Sequence, residues 1–305
     1  RLTPGHIGFQ IAPRLNAAAR VAEARIALDL LLAEEPNEID RLANQLDQLN
    51  RRRQQQVEQL VDRLAAESLD PGERRTLVFS GRDYPLGLNG ILAQRVARDF
   101  HRPAFFLQLF EEQGLAVGSG RSIPGFDLHA ALGECADLLE RWGGHAQAAG
   151  VTVRAANLEA FGVRLEAVAQ GLPPALFERV ERADLELPPE LVTPELVRAL
   201  AQLEPHGIGN PAPRFVMRGQ RLRSTRAFGA AGRRDHLEVG LPGGLRGVYW
   251  GGAGIAGLSA GATVDLVCGL SWDDYRGAPQ LDIKDAGALC LETAPGNGVT
   301  AAAAE

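Results

Sequence analysis

The strongest constraint on the fold is a change of periodicity along the 305-residue chain. In the middle of the chain, short apolar runs alternate with segments of helical pattern, which predicts a layered α/β domain. Its strands are predicted at 76–80, 103–110 and 150–154, and its helices at 90–101, 127–142 and 158–170. After residue 215, apolar residues recur at every second position between glycine-rich turns. That pattern predicts a small β-barrel.

A long helix is predicted ahead of the α/β domain. Apolar residues recur by threes and fours from Ile39 to Leu64, except at Arg53, and Asn37 is expected to cap the first turn. At 1.5 Å per residue such a helix spans about 45 Å, enough to connect two domains. The basic cluster Arg51-Arg52-Arg53 either contacts a nucleic-acid strand or forms a solvated helix face, and the sequence leaves both open.

The composition excludes some classes of protein. A net charge of −6 argues against a general polyanion-binding protein, so any nucleic-acid contact must come from a local basic surface. No run of 18 apolar residues occurs, so no membrane span is expected. The three cysteines are far apart, which fits a reducing, cytoplasmic location without a disulfide framework or zinc site. Because the chain begins at Arg1 without a methionine, we interpret it as a piece of a longer protein.

Two glycine-rich segments are candidate binding elements. Gly118-Ser119-Gly120-Arg121-Ser122 offers backbone N–H groups, a hydroxyl and a guanidinium, which together suit a phosphate. Gly143-Gly144-His145 removes side chains from a turn and places a histidine where a ligand backbone could approach. Each segment also has a structural interpretation, the first as a hairpin turn and the second as a helix end with an exposed histidine.

A third candidate lies near the start of the chain. Arg14, Asn16 and Arg20 flank a run of alanines that leaves the backbone thinly covered. These polar groups either face a phosphate or metal-bound ligand of a neighbouring domain, or are solvated residues at an ordinary helix start. Residue types and spacing alone do not decide between the two.

Four segments resemble, in the same order, the RecJ family of DHH-type phosphoesterases. They are FQIAPRLNAAAR (9–20), GSGRSIPGFDLHAAL (118–132), GGHAQAAG (143–150) and LEPHGIGNPAP (203–213). The resemblance runs from about residue 7 to about residue 285. It implies a metal-dependent exonuclease that degrades single-stranded DNA from the 5′ end in DNA repair and recombination. The chain departs from the family by placing Ala19 where a glycine is typical, which puts in doubt how closely a ligand packs there.

The resemblance also implies an order of domains. The end of a DHH domain and a long connecting helix are expected at 1–70, and a DHH-associated α/β domain at 71–175. A linker is expected at 176–214, in which the residue pattern predicts a strand at 180–187 and a helix at 194–203. An OB-fold is expected at 215–292 and a disordered tail at 293–305. The expected fold class is therefore α/β, with a small OB-like barrel after the α/β domain.

Roles for individual residues follow from the same resemblance. His145 becomes a catalytic residue that contacts the substrate, and Ser119 with Arg121 becomes a candidate pocket for the terminal 5′ phosphate. Further nucleic-acid contacts are expected from the neighbouring motif residues and from a barrel turn. These are Arg14, Asn16, Arg20, Gly120, Ser122, Gly143, Gly144, Tyr275 and Arg276.

An OB-fold binds single strands by combining cations with aromatic platforms. The barrel region offers such candidates at Arg221, Arg223, Arg226, Arg233, Arg234, Tyr249, Trp250, Trp272, Tyr275 and Arg276. Trp250 and Trp272 could equally belong to the barrel core.

The metal chemistry of the family is expected outside this chain. Two-metal hydrolysis of a phosphodiester needs a set of carboxylates and histidines, and the sequence contains no Asp-His-His triplet. No metal is expected to bind here, and His206 is interpreted as structural because it lacks partners at ligand spacing. Mn²⁺ or Mg²⁺ is expected in an absent DHH domain, and the chain by itself is expected to be inactive.

Single-stranded DNA is the expected partner, together with a single-strand-binding protein and a RecQ-type helicase. No membrane is expected as a partner. Two alternatives stay open: a RecJ-like scaffold of a replication or repair complex that does not cleave, and a phosphodiesterase of oligonucleotides or cyclic dinucleotides. Members of the last group generally lack an appended barrel.

Overall fold

The computed structural model describes residues 4–66, 72–207, 209–229, 234–287 and 291–293. The chain divides into two compact units, Arg1–Glu178 and Arg179–Glu305. The predicted disordered tail lies, apart from Thr293, outside the described residues, as do Arg233 and Cys290. Among the helices of the described part, none is long and apolar enough to cross a membrane.

The first part of the first unit is helical. It consists of α1 (Pro4–His6), a π-helical segment (Ile7–Ile11), α2 (Ala12–Val21), α3 (Arg25–Leu32) and α4 (Pro36–Ala66). The predicted long helix is confirmed, with 31 residues in α4. It begins at Pro36, whose missing N–H costs nothing in a first helical turn, so Asn37 lies inside the helix and is not its cap. Leu42, Leu46 and Leu64 are buried along one side of α4.

The α/β domain follows in the same unit. Its elements are β1 (Leu77–Gly81), α5 (Leu86–Phe100), β2 (Ala104–Phe110), β3 (Leu115–Arg121), α6 (Leu128–Gly133), β4 (Leu139–His145), β5 (Ala148–Arg154) and α7 (Leu158–Gln170). The strands form one sheet in the order β1-β2-β3-β5-β4, in which only the β1–β2 pair is parallel. Phe105, Phe161 and Leu165 belong to one core, while Phe106 and Leu92 of α5 belong to another.

The predicted helix at 127–142 is wrong. There the chain forms α6 and a 3₁₀ turn (Ala136–Leu138), and β4 forms a hairpin with β5 in which Gly143 pairs with Gly150 and His145 with Ala148. Strand pairing satisfies the backbone of the two glycines, which are poor helix formers, while Trp142 packs against the domain core. The Gly-Gly-His segment is therefore the end of an edge strand.

The segment Gly118 to Arg121 is also strand and not a turn. A Cβ on Gly118 would overlap the Phe106 carbonyl oxygen, and one on Gly120 would overlap the Phe105 ring. These glycines are required because β2 approaches closely.

In its described residues, the second unit contains one short α-helix and a β-barrel. Its elements are β6 (Glu181–Ala183), β7 (Leu185–Glu186), α8 (Pro194–Leu200), β8 (Phe215–Arg221), β9 (Ser224–Phe228), β10 (His236–Gly240), β11 (Arg246–Tyr249), β12 (Thr263–Asp273), β13 (Ala278–Gly287) and β14 (Leu291–Thr293). A strand was predicted at 180–187, and the structure divides it into β6 and β7. The predicted helix at 194–203 ends as a 3₁₀ turn from Ala201 to Leu203.

The barrel closes because β8 and β9 are two halves of one bent strand. The strand order is β7-β8-β12-β13-β11-β10-β9. At the bend, Leu222 donates its N–H to Ala262 and accepts from Gly261, while the next N–H, from Arg223, bonds to Gly240. One half therefore pairs with β12 and the other with β10, and the β-barrel prediction is confirmed. Its core includes Met217, Leu266, Cys268 and Leu281.

Candidate nucleic-acid interface

The two predicted motifs meet on one face of the α/β sheet. Arg121 of β3 pairs with Ala148 of β5, which pairs with His145 of β4. Directly paired residues point to the same side of a sheet, and two strand spacings separate Arg121 from His145 by about 10 Å. The next row on that side, two residues along, consists of Ser119, Gly150 and Gly143.

The sheet between these side chains has a shallow floor. A Cβ on Gly143 would meet no atom within 4 Å, and one on Gly150 would come no closer than 3.7 Å to another atom, the Gly118 carbonyl oxygen. His145 is exposed at the rim, and no hydrogen-bond partner for its ring occurs among the described residues. An extended ligand could lie on this floor between Arg121 and His145; we call it the glycine floor.

Arg121 is held at the edge of α5. Its Nη1 donates to the Gly120 carbonyl oxygen at 2.9 Å, and a Cβ on Gly90 would lie 2.8 Å from its Nη2. Arg20, at the end of α2, donates from Nη1 to the Gly87 carbonyl oxygen at 3.2 Å. Both arginines line one cleft of about 430 Å³, together with Gly90, Gln94 and other residues of α4 and α5.

The charges of this cleft are not balanced. Burial, and then the charge of Arg20, lower the pKa of Arg121, and the same two causes lower the pKa of Arg53 on α4. In the part of the chain that the structure describes, no salt bridge joins a carboxylate to Arg20, Arg53 or Arg121. An anion bound between Arg20 and Arg121 in this cleft would relieve the repulsion that Arg20 exerts on Arg121. We call Arg20, Arg53 and Arg121 the open arginine cluster.

Buried polar residues accompany the cluster, and the sequence reasoning missed them. Asn89 is fully buried on α5 between Gly87 and Gly90, and neither of its amide atoms has a hydrogen-bond partner among the described residues. The Oδ1 atom of Asn50 and the Nε atom of Arg53 are likewise buried without a partner. The available signal was the placement of Asn50 and Arg53 on the apolar stripe of α4. Such buried polar groups require an explanation in a native protein.

Other predicted residues lie outside the cleft or have their polar groups engaged within the chain. Arg14 donates from Nε to Asp47 at 3.0 Å and from Nη1 to the Gln10 carbonyl oxygen at 2.6 Å. Asn16 lies one helical turn before Arg20 on the same side of α2. The Ser122 hydroxyl is buried and donates to the Phe126 carbonyl oxygen at 2.6 Å, so it holds the loop after β3.

The barrel carries a second group of arginines. Glu238 on β10 accepts from Arg226 at 2.8 Å and from Arg246 at 2.6 Å, and it lies 3.6 Å from Arg276. The hydrogen bond from Arg226 lowers the pKa of Glu238, and the charges of all three arginines lower it further. Asp273 lies 3.7 Å from Arg276. We call Arg226, Arg246 and Arg276 the closed arginine cluster.

Aromatic rings lie next to this cluster. The rings of Phe228, His236 and Trp250 contact one another with centroids 4.8 to 5.8 Å apart, and Trp250 is 61% exposed. Tyr275 is 96% exposed on the turn after β12, where Asp273 accepts from its backbone N–H. Exposure therefore favours Trp250 as a stacking surface and excludes it from the core.

The remaining aromatic candidates divide. Trp272 is 40% exposed and is not part of the barrel core. Tyr249 is buried in that core and donates its hydroxyl to Asp285 at 3.2 Å, so its prediction as a stacking platform is wrong. Burial and the carboxylate of Asp285 raise the pKa of Tyr249 to about 12.

The described residues contain no group of three or more histidine, cysteine, aspartate or glutamate side chains that could hold a metal ion. His206, for which a structural role was expected, has a buried Nδ1 atom without a partner among those residues. The roles expected for individual binding residues and the domain boundaries stay predictions.

Comparison with known proteins identifies both units. Sequence models of two families match the chain, the DHHA1 domain over residues 75–171 and the RecJ OB domain over residues 183–285. The single-stranded-DNA-specific exonuclease RecJ of Bacillus subtilis is 34% identical over 288 residues, which cover 92% of this chain and 36% of the relative. RecJ of Thermus thermophilus is 37% identical over 244 residues, 80% of this chain and 34% of the relative.

Solved structures give the same result as the sequence comparisons. The crystal structure of Thermus thermophilus RecJ in complex with Mg²⁺ matches with a TM-score of 0.79 at 33% identity, covering 94% of this chain and 44% of that one. The Mn²⁺ complex matches with a TM-score of 0.77, covering 93% and 42%. The chain spans about a third of the length of the curated relatives it matches. It carries a DHHA1 domain followed by a RecJ OB domain, and it belongs to the RecJ family.

Proposed function

We propose that this chain is the strand-binding, C-terminal portion of an exonuclease that hydrolyses single-stranded DNA from its 5′ end. The observation that carries the proposal is the row of Arg121, Ala148 and His145 on one open sheet face. Relatives that share both domains are named single-stranded-DNA-specific exonucleases, which supports the substrate class.

The terminal 5′ phosphate binds at the open arginine cluster. Arg121 and Arg20 line the cleft without carboxylate partners in the described part of the chain, and Ser119 adds a hydroxyl two residues before Arg121 on the same face. A phosphate accepts charge-assisted hydrogen bonds from guanidinium groups, which are about twice as strong as neutral ones.

His145 acts at the other end of the glycine floor. About 10 Å from Arg121, it reaches a phosphodiester inside the strand while Arg121 holds the end. We propose that His145 contacts the phosphodiester that is cut, and that Gly143, which carries no side chain on the open face, lets the strand backbone approach.

The metal ions of the reaction bind outside this chain in the proposal. Related RecJ structures are complexes with Mn²⁺ or Mg²⁺, and this sequence has no Asp-His-His triplet to supply family-type ligands. Divalent ions would activate a water and stabilise the charge of the leaving oxygen. The chain by itself therefore binds DNA without cutting it.

The closed barrel and the RecJ OB match count against a phosphodiesterase of cyclic dinucleotides, because enzymes of that group generally lack such a barrel. A single-strand-binding protein and a RecQ-type helicase stay predictions from the family resemblance.

Affinity for single and double strands tests the proposal. We expect the chain to bind a 5′-phosphorylated single strand more tightly than a blunt duplex of the same sequence, and His145→Ala to weaken single-strand binding by about 1 kcal/mol. His129→Ala is the matched control, since the His129 ring contacts Trp142, which faces the core side of the sheet. Equal affinity for duplex, or equal loss in both histidine variants, would contradict the proposal.

A further inference from the structure

Glu238 has an unusual environment for a residue on a proposed nucleic-acid surface. It is a carboxylate surrounded by three arginines from three different elements of the barrel, β9, β11 and the turn before β13. Its side chain is 16% exposed, so its charge acts mainly on those neighbours and less on solvent. A phosphate group would be recognised by the same donors in the same arrangement.

The geometry of the strands places this carboxylate beside the aromatic rings. On β10, His236 and Glu238 are two residues apart, so both point outward, while Leu237 and Val239 belong to the core. Across the β9–β10 pair, Phe228 faces His236 and Arg226 faces Glu238. An aromatic row and a charged row therefore lie about 7 Å apart along one face.

We infer that Glu238 occupies the position of a strand phosphate on the barrel and so limits the affinity of that face for single-stranded nucleic acid. The inference rests on the proposed function, because it assumes that the barrel contacts the strand. Bases stack on Trp250 and its ring neighbours, and a backbone phosphate competes with Glu238 for the closed arginine cluster. Such competition keeps binding on the barrel weak, which suits an enzyme whose strand must advance after each cut.

The inference predicts a gain of affinity from the loss of a carboxylate. In Glu238→Gln, three guanidinium groups become available while the side chain keeps its shape and one oxygen acceptor. We expect a 5′-hydroxyl oligothymidylate to bind about threefold to tenfold more tightly at low salt. The slope of log affinity against log salt should steepen by about 0.7, the value for one further phosphate contact on a single strand.

Glu186→Gln is the matched control, since it changes the net charge equally. Glu186 lies on β7 and pairs with Arg218 at 3.3 Å, away from strands β9 to β11 in the sheet order. We expect its affinity and salt slope to equal those of the wild type. A gain of the same size in both variants would overturn the inference, because it would show a general effect of net charge.

The unfolding midpoint of Glu238→Gln shows whether the barrel is intact, and a second variant tests whether the gain comes from the freed arginines. Arg226→Ala should weaken binding only slightly in the wild type and about tenfold in the Glu238→Gln background, because only there does Arg226 meet a phosphate. Unchanged or weaker binding by Glu238→Gln, or equal effects of Arg226→Ala in both backgrounds, overturns the inference. If the wild type prefers a 5′ phosphate while Glu238→Gln gains nothing, the proposed function survives and this inference fails.

Discussion

The two units each carry three arginines close together, and the clusters differ in how their charge is balanced. In the first unit, burial and then the charge of Arg20 lower the pKa of Arg53 and of Arg121, and Arg20, Arg53 and Arg121 have no salt bridge among the described residues. In the second unit, Arg226, Arg246 and Arg276 surround Glu238. The first arrangement favours binding of an external anion. In the second, an external anion competes with Glu238 for the arginines, so it binds weakly and dissociates readily.

The difference follows from the elements that supply the arginines. The open arginine cluster draws on α2, α4 and β3, which approach because Gly87 and Gly90 leave room for Arg20 and Arg121. The closed arginine cluster sits on neighbouring strands, where direct pairing places Arg226 opposite Glu238. Opposite charges at such positions stabilise a sheet. The open cluster therefore depends on helix packing, whereas the closed one is held by strand pairing.

The largest expected effect comes from closing the space that admits Arg20. A Cβ on Gly87 would overlap the Arg20 carbonyl oxygen, which is backbone and cannot rotate away. We expect Gly87→Ala to destabilise the first unit by about 2–4 kcal/mol and to abolish the preference for a 5′ phosphate. Denaturant unfolding and oligonucleotide titration measure the two effects.

Gly162→Ala is the control for that substitution. Gly162 lies inside α7, and a Cβ there meets nothing within 4 Å, so this variant should be unchanged or up to about 1 kcal/mol more stable. Equal destabilisation of both variants would show that the close approach of Gly87 to the Arg20 backbone is not the cause.

The next effect compares one arginine from each cluster. Arg121→Ala should weaken binding of a 5′-phosphorylated single strand by about 10–100-fold, because a hydrogen bond to a charged group contributes about 1.5–3 kcal/mol. Arg226→Ala should cost less than about threefold, since Glu238 already neutralises it. Fluorescence anisotropy at fixed salt measures both. A larger loss of affinity in Arg226→Ala than in Arg121→Ala would contradict the proposed difference between the two clusters.

A smaller effect is stabilisation by inorganic phosphate. At about ten times its dissociation constant, phosphate bound to the open arginine cluster should raise the free energy of unfolding by about 1.4 kcal/mol. Arg121→Ala should lose this specific gain and keep only the general salting effect. Urea unfolding with and without phosphate measures it, with Arg164→Ala as control because Arg164 pairs with Asp137 elsewhere in the domain. An equal gain in Arg121→Ala would place the anion elsewhere.

The smallest expected effect is on the pH dependence of the barrel's free energy of unfolding. The arginines lower the pKa of Glu238 in the folded state, so its stabilising contribution is present above the unfolded pKa, near 4.3, and is lost as the pH falls. Between pH 5 and 3 the wild type should lose about 1 kcal/mol more stability than Glu238→Gln. Acid titration of unfolding midpoints measures this difference, and parallel curves would show that Glu238 is not held by charge.

The sequence predicted the long helix, the alternating α/β region and the barrel, because each depends on regular apolar spacing. It misplaced the two glycine motifs, which it assigned to turns. Gly118 and Gly120 are needed because β2 lies against them, whereas a Cβ on Gly143 would meet nothing within 4 Å. A glycine that is required because packing leaves no room for a side chain cannot be told, from the sequence, from a glycine that is required by a turn.

The sequence predicted the motifs of the site, but not how they are arranged in space. That Arg121 and His145 share a row depends on strand register, which a single sequence does not give. Asn50 and Asn89 become notable only through burial, since polar residues on apolar stripes are usually local interruptions. The closed arginine cluster likewise depends on the pairing of β9 with β10.

The central claim is that Arg121 binds the terminal 5′ phosphate, and a thermodynamic cycle tests it most directly. The affinities of the wild type and of Arg121→Ala are measured for one single strand bearing either a 5′ phosphate or a 5′ hydroxyl. The account predicts a coupling energy of at least about 1.5 kcal/mol between the guanidinium and the phosphate. A coupling below about 0.3 kcal/mol, with Arg121→Ala losing equal affinity for both strands, would contradict it.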